Sequence, residues 1–211
     1  MQADVANAAE MKGVADAAVR EFGRIDGLVA NAGIWTGGVP AWELSDEQWD
    51  EMAYVNLRGV WQSCKQVIPQ MLDRGAGSIV LISSMAGMAG MRNFAHYVAA
   101  KHGVIGLMRA LAVELGGRGI RVNAVSPQAT KTDLLLNQFS YDLFAGAEFH
   151  SNVGTREDLD RGVRGQNLMP VGPVDPADIS NAILWLLSER ARYVTGVALP
   201  VDAGALVEVF P

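Results

Sequence analysis

The distribution of apolar residues along the chain constrains its fold more than any other feature. Ile25 to Ala30, Ser78 to Ser83, Ile120 to Val125 and Gly196 to Val201 are short apolar runs that read as buried strands. A longer segment of helical period separates most of them. Strands alternating with helices in this way form a mostly parallel sheet with helices on its faces, the α/β architecture. Asn7 and Glu10 make a helix-start signature, followed at helical spacing by Met11, Val14, Ala15, Ala18, Val19 and Phe22, with Gly23 as the stop. Ser45 and Gln48 form a second capping box. They open a long helix to about residue 73 with Trp49, Met52, Ala53, Val60, Cys64, Val67, Ile68 and Met71 on one face. Further helices are predicted over Phe94 to Leu115 and Ile179 to Ser188, and Asp4-Val5 reads as the stub of a strand. The stretch from about 127 to 172 reads as irregular.

With 211 residues and no linker or repeat, the chain reads as one domain, residues 1–211. Its net charge of −6 argues against nucleic acid as a partner, because phosphate binding needs a basic face. No apolar run reaches membrane-spanning length, and the N-terminus lacks a signal-peptide layout. One cysteine, Cys64, rules out an internal disulfide. The cytoplasm is the default location.

Tyr97 and Lys101, at i and i+4, share one face of a predicted helix. A phenol is a weak acid with pKa about 10, and a nearby ammonium favours its ionised form. Such a pair can exchange a proton with an alcohol. Ser84 falls at the carboxyl end of a predicted strand, where ligands bind in open α/β sheets. Asn56 lies within the apolar stripe of the long helix, so its buried amide needs a partner, either a water or a backbone carbonyl. Asn31-Ala32-Gly33 directly follows a strand and reads as a turn. Each signal is weak alone: Asn56 reads first as structural, and Ser84 as a turn residue.

The ordered set Asn31-Ala32-Gly33, Asn56, Ser84, Tyr97-x-x-x-Lys101 and Arg121-Val-Asn-Ala-Val-Ser-Pro127 resembles the short-chain dehydrogenase/reductase family, from Asp4 to about Gly204. The resemblance implies a Rossmann-like fold and an oxidoreductase moving hydride between NAD (NADP not excluded) and an alcohol or ketone. It implies Tyr97 as general acid/base, Lys101 as its partner and holder of the nicotinamide ribose, Ser84 as the group orienting the substrate oxygen, and Asn56 as anchor of a relay water. It further implies cofactor contacts from Asp4, Val5, Asn31, Ala32, Gly33, Pro127 and Thr132. The segments Ala30 to Trp35, His96 to Gly103 and Ala191 to Gly204 look like the actinobacterial carveol-dehydrogenase-like, mycofactocin-coupled branch. That branch implies a hydrophobic, terpenoid-like secondary alcohol. Family members commonly form dimers or tetramers, which places subunit contacts on helices 46–73 and 94–115.

The sequence departs from the family at its front. No Gly-rich phosphate turn is present, and the three residues before Asp4 cannot hold the first strand-helix-strand unit. Two explanations stand: the first Met is internal to a longer product, or the chain is a short form with impaired cofactor binding. The apolar edge exposed by such a loss favours the first. A second departure is Pro127-Gln128 in place of the family's Pro-Gly. The aromatic-bearing segment 134–169 (Phe139, Tyr141, Phe144, Phe149) is expected to be a substrate lid. There is no nucleophile elbow of a serine hydrolase, and His96, His102 and His150 lack metal-ligand spacing. His96 and His102 are expected to face solvent or a neighbouring subunit. The competing reading is a non-catalytic interaction protein on the same scaffold.

Overall fold

The computed structural model describes residues 1–147 and 151–207. Four parallel strands, β1 (Gly27–Ala30), β2 (Gly77–Ile82), β3 (Ile120–Pro127) and β4 (Ala198–Val201), lie in chain order across one sheet. Ala30 pairs with Leu81, Ile82 with Val125 and Pro127 with Val201, so all four carboxyl ends meet at one edge. The helices are α1 (Ala8–Phe22), α2 (Asp46–Ala53), α3 (Gly59–Arg74), α4 (Ala95–Gly116), α5 (Gln138–Ala145), α6 (Arg156–Gln166) and α7 (Pro176–Leu187).

One face of the sheet, with Ile79, Leu81, Val122 and Ala124, packs against Cys64, Val67 and Met71 of α3 and Val104 and Met108 of α4. The other face, with Val80, Ile82 and Val125, packs against Ile179 and Leu186 of α7. Cys64 is a core residue whose thiol burial pushes up to about 12, far from reactive. The Arg121-Val-Asn123 motif has a structural job. Arg121 donates to the carbonyls of Leu186, Leu187 and Ser188 at the end of α7, and Asn123 donates to Val194 O at 2.9 Å and accepts from Val197 N at 3.1 Å. These bonds dock the α7–β4 connection onto β3.

Three expectations are corrected. Asp4-Val5 forms no strand. Asp4 instead closes a turn, its carboxylate accepting from Ala6 N at 2.9 Å, and Val5 packs on Gly59, where a Cβ would approach it at 2.7 Å. The long helix runs on from Asp46 to Arg74 as expected but is not uniformly α-helical: a π-helical turn, Tyr54–Arg58, joins α2 to α3 with the backbone right-handed helical throughout. The stretch 127–172 is not irregular, since it contains α5 and α6. Helix α6 opens with a complete capping box, Thr155 with Asp158, in which the short carboxylate stands where Glu or Gln is usual.

Candidate active site

The site lies at the carboxyl edge of the sheet, where each strand releases a loop. After β2, Ser83 N extends the ladder to Val125 O at 2.8 Å and Ser83 Oγ donates to Lys101 O at 2.9 Å. Ser84 then caps the short 3-10 turn Met85–Gly87 by accepting from Ala86 N at 3.1 Å. Gly87 packs so closely on Ser83 Oγ and the Lys101 carbonyl that a Cβ has no room. The β2 loop and α4 are therefore locked together, and Ser84 is brought into hydrogen bond with the Tyr97 hydroxyl.

Tyr97 and Lys101 sit one turn apart on α4, both buried. The Lys101 Nζ lies 5.7 Å from the Tyr97 ring centre and donates to Ile82 O at 3.0 Å. Burial dominates both groups. It pushes the Tyr97 phenol up, which the Ser84 hydrogen bond only partly offsets, and it brings Lys101 down from its ordinary 10.5 to about 8. The expected lowering of the phenol by the ammonium is thus outweighed by burial. At neutral pH Lys101 still carries its charge for most of the time.

Asn56, fully buried within the π turn, uses both ends of its amide on one residue. Its Oδ1 accepts from Ile34 N at 2.7 Å and its Nδ2 donates to Ile34 O at 2.9 Å, with Met52 Sδ also 2.9 Å from Nδ2. Of the two partners open to it from sequence, the backbone takes the side chain. Asn56 thereby fixes the loop after β1, and at Gly33 an added Cβ would lie 3.0 Å from Asn56 Oδ1 and 3.7 Å from Lys101 Nζ. Asn31 and Ala32 are exposed beside it.

The structure gathers Asn56, Ser84, Tyr97, Lys101 and Gly33 at this edge. Pro127 ends β3 there, and Thr132 is exposed beyond it in the loop, its Oγ1 3.4 Å from Thr130 O. Gln128 is buried, donates N–H to Val201 O at 3.2 Å and lies outside the left-handed region, so replacing glycine costs no backbone strain there. Its side-chain amide has no partner among the described residues. Asp4 stands apart by the π turn, its Oδ2 3.4 Å from the Tyr54 hydroxyl.

His96 corrects an expectation. It is 3 % exposed and both ring nitrogens lack a partner among the described residues, so burial holds it below its usual value and neutral. His102 is exposed, as expected. His150 and Phe149 lie outside the described residues. Of the other aromatics expected to line the site, Phe139 reaches it, whereas Phe144 packs on α6, where a Cβ at Gly162 would meet its ring at 2.6 Å. Sequence reasoning missed Trp35 and Phe94 as site residues. Their rings stack at 4.4 Å, and Trp35 meets Tyr97 edge-on at 4.7 Å. The available signal was an aromatic placed just past the turn that follows a strand.

A family model described as Enoyl-(Acyl carrier protein) reductase matches residues 1–205. A Mycolicibacterium smegmatis protein described as a short-chain type dehydrogenase/reductase is 43% identical over 98% of this chain and 74% of its own length. The (-)-trans-carveol dehydrogenase of Rhodococcus erythropolis is 41% identical over 99% of this chain and 74% of its own. Among solved structures, carveol dehydrogenase from Mycobacterium avium in complex with NAD superposes with a TM-score of 0.93 at 45% identity, covering 99% of this chain and 74% of that one. Motif order, sheet topology and these similarities agree: the chain belongs to the short-chain dehydrogenase/reductase family, as a nicotinamide-dependent alcohol oxidoreductase.

Proposed function

We propose that the protein oxidises hydrophobic secondary alcohols, terpenoid-like in shape, and reduces the matching ketones, with NAD as its cofactor. The observation that carries this reading is Tyr97, buried, hydrogen-bonded to Ser84 and one helical turn from Lys101. The carveol-acting relatives and the NAD held by the Mycobacterium avium enzyme support the substrate class and the cofactor.

The residues present fit the nicotinamide half of such a cofactor. Lys101 spends one of its three donors on Ile82 O, leaving two for ribose hydroxyls. Gly33 keeps the wall beside Lys101 free of a side chain, and the Gln128 amide is a buried polar group awaiting a partner. We assign ribose contact to Tyr97 and Lys101, wall contact to Asn31, Ala32 and Gly33, nicotinamide-side contact to Pro127 and Thr132, and adenine-side contact to Asp4 and Val5. When bound, the nicotinamide supplies the hydride acceptor for the alcohol carbon. In the same oxidation the alcohol proton passes to Tyr97 Oη, Ser84 orients the alcohol oxygen, and the charge on Lys101 favours the phenolate. Asn56 acts through the backbone of Ile34, holding the loop that closes this pocket.

Segment 134–169 is assigned as the substrate lid, with Phe139 as its apolar contact. The groove between the π turn and α4, lined by Tyr54, Leu57, Trp61 and Leu107, is assigned to a second copy of the chain. Tyr54 and Trp61 are 42 % and 40 % exposed there. Sedimentation should show dimers or tetramers at micromolar concentration, and monomer alone would remove that assignment. Cytoplasmic residence fits the single buried thiol, and no helix among the described residues is long and apolar enough to cross a membrane. The decisive test of the function is Tyr97→Phe, which should abolish alcohol oxidation while NAD still binds by calorimetry. Undiminished turnover in that variant would remove Tyr97 as the acid/base, whereas no turnover in the wild type with NAD bound would leave the interaction-protein reading in its place.

A further inference from the structure

Trp35 is firmly held beside Tyr97 and has no role in the chemistry above. Its backbone is fixed on one side through Ile34, which Asn56 clamps with two hydrogen bonds, and on the other through Gly38, whose N–H donates to Asn93 O at 3.0 Å. Between these anchors its ring lies parallel to Phe94, at 4.4 Å and 4°. It also presents an edge-on contact to Tyr97 at 4.7 Å and 79°, and to Phe139 of the lid helix α5 at 6.3 Å and 76°. Gly37 has no room for a Cβ against the Phe94 ring, so the segment closes tightly over that stack. One indole thus links the β1 loop, the start of α4 and the lid, and both Trp35 and Phe139 remain half-buried.

In the middle of this wall the Trp35 Nε1–H is shielded from solvent and has no hydrogen-bond partner among the described residues. An indole nitrogen can only donate, and buried donors are almost always paired. Phenylalanine in its place would keep the stack and the edge contacts. A donor held this rigidly, beside the phenol that takes the alcohol proton and under a movable lid helix, is placed to meet an acceptor that arrives with the substrate.

We propose that the Trp35 indole N–H is a substrate-recognition donor, selecting cyclic apolar alcohols and ketones that carry a second oxygen acceptor away from the reacting carbon. The proposal rests on the alcohol-dehydrogenase reading and sharpens its substrate class. Phe139, half-buried, supplies the apolar wall against which the ring of the substrate lies, Phe94 backs the indole from within the core, and Trp35 reads the distant oxygen. A site built to hydrogen-bond a substrate atom discriminates strongly against an analogue lacking it, because the site group is then left unpaired.

The test uses two substituted cyclohexanols of the same shape, one bearing an ethyl group across the ring and the other a methoxy group, so that a CH2 is replaced by an oxygen. The wild-type protein with NAD in excess should prefer the methoxy alcohol by roughly tenfold in kcat/KM. In Trp35→Phe that ratio should fall to about one, whatever happens to the absolute rates. No preference in the wild type overturns the proposal, and this measurement does not depend on the variant folding. A preference that survives unchanged in Trp35→Phe overturns it equally. Failure of the wild type to oxidise either alcohol would instead overturn the hydrophobic secondary-alcohol substrate class of the proposed function and the proposal with it.

Discussion

The catalytic floor and the proposed lid are held by opposite means. The floor is assembled from segments far apart in sequence: Asn56 holds Ile34, Lys101 holds Ile82, and Ser83 holds Lys101. Each bond ties a helix to a strand end or to the loop just past one, so the floor is anchored to the sheet. The lid is stitched mostly to itself. Asp142 of α5, fully buried, accepts from the N–H groups of Asn152, Val153 and Gly154 at 3.1, 3.1 and 2.9 Å and from Gln138 Nε2 at 2.9 Å. Gly154 packs against the Tyr141 backbone with no room for a Cβ. Burial would raise the Asp142 carboxyl, but these hydrogen bonds outweigh it and hold it below its usual value. Phe139 and Leu143 carry the lid's apolar contact with the floor. The proposed chemistry is thereby tied to the sheet, while the segment proposed as the lid is a pair of helices held together mainly by its own bonds.

The largest expected effect breaks the floor chemically without touching its architecture. Tyr97→Phe should cost roughly 10²–10⁴ in kcat, with little change in melting temperature, because the ring that Trp35 contacts is retained. Lys101→Met should separate function from stability. Turnover should fall by a comparable factor, yet the melting temperature should rise, since a buried ammonium is replaced by an apolar chain of similar length. The pH dependence gives the sign. Between pH about 8 and 10.5 the unfolded wild-type chain holds more proton on this lysine than the folded one, so stability rises with pH by on the order of 3 kcal/mol across that window. Lys101→Met should flatten this rise in denaturant titrations. If the rise persists, another group is responsible for it.

Asp142→Asn should affect the lid and spare the floor. An amide cannot replace a carboxylate at four donors, so the amides of residues 152–154 should exchange faster and KM should rise more than kcat falls. Faster exchange at α4 as well would show that lid and floor are coupled more tightly than described. In the wild type the lid should stay closed through neutral and mildly acidic pH. The stability that Asp142 contributes is present above the ordinary carboxyl pKa and is lost only as pH falls through its lowered one. The smallest effect is Thr155→Ala, which removes the α6 capping box and should cost about 1 kcal/mol, seen as fraying of that helix with turnover almost unchanged.

Legibility follows the same division. The strands and the helices packed on them were readable because each buries a continuous apolar face whose period appears directly in the residues, as in Ile79 to Ile82 and in Val104, Met108 and Leu115. The lid helices were not, because α5 and α6 are short and α6 is largely polar. Their apolar contacts are few, Phe139 and Leu143 on α5 and Leu159 and Val163 on α6, and Asp142 and the Thr155–Asp158 cap add what a longer apolar stripe would supply. Asp4-Val5 failed as a strand for a related reason: its polar groups are satisfied locally, by the Ala6 amide and by Glu10, whose carboxylate accepts from Asp4 N at 2.7 Å.

By itself, the sequence determined the α/β class and the four strands in order, because period is a local property that survives in a one-dimensional string, and through its family resemblance it pointed to Asn56, Ser84, Tyr97 and Lys101 as one site. Tertiary structure decided what each of those groups faces. It gave the Asn56 amide to Ile34 and a raised rather than lowered phenol to Tyr97, and it buried His96. It also set the unpaired Trp35 N–H beside Tyr97. Partner choice and burial depend on segments brought together only when the sheet closes, and burial sets the energy of every charged or polar group placed there.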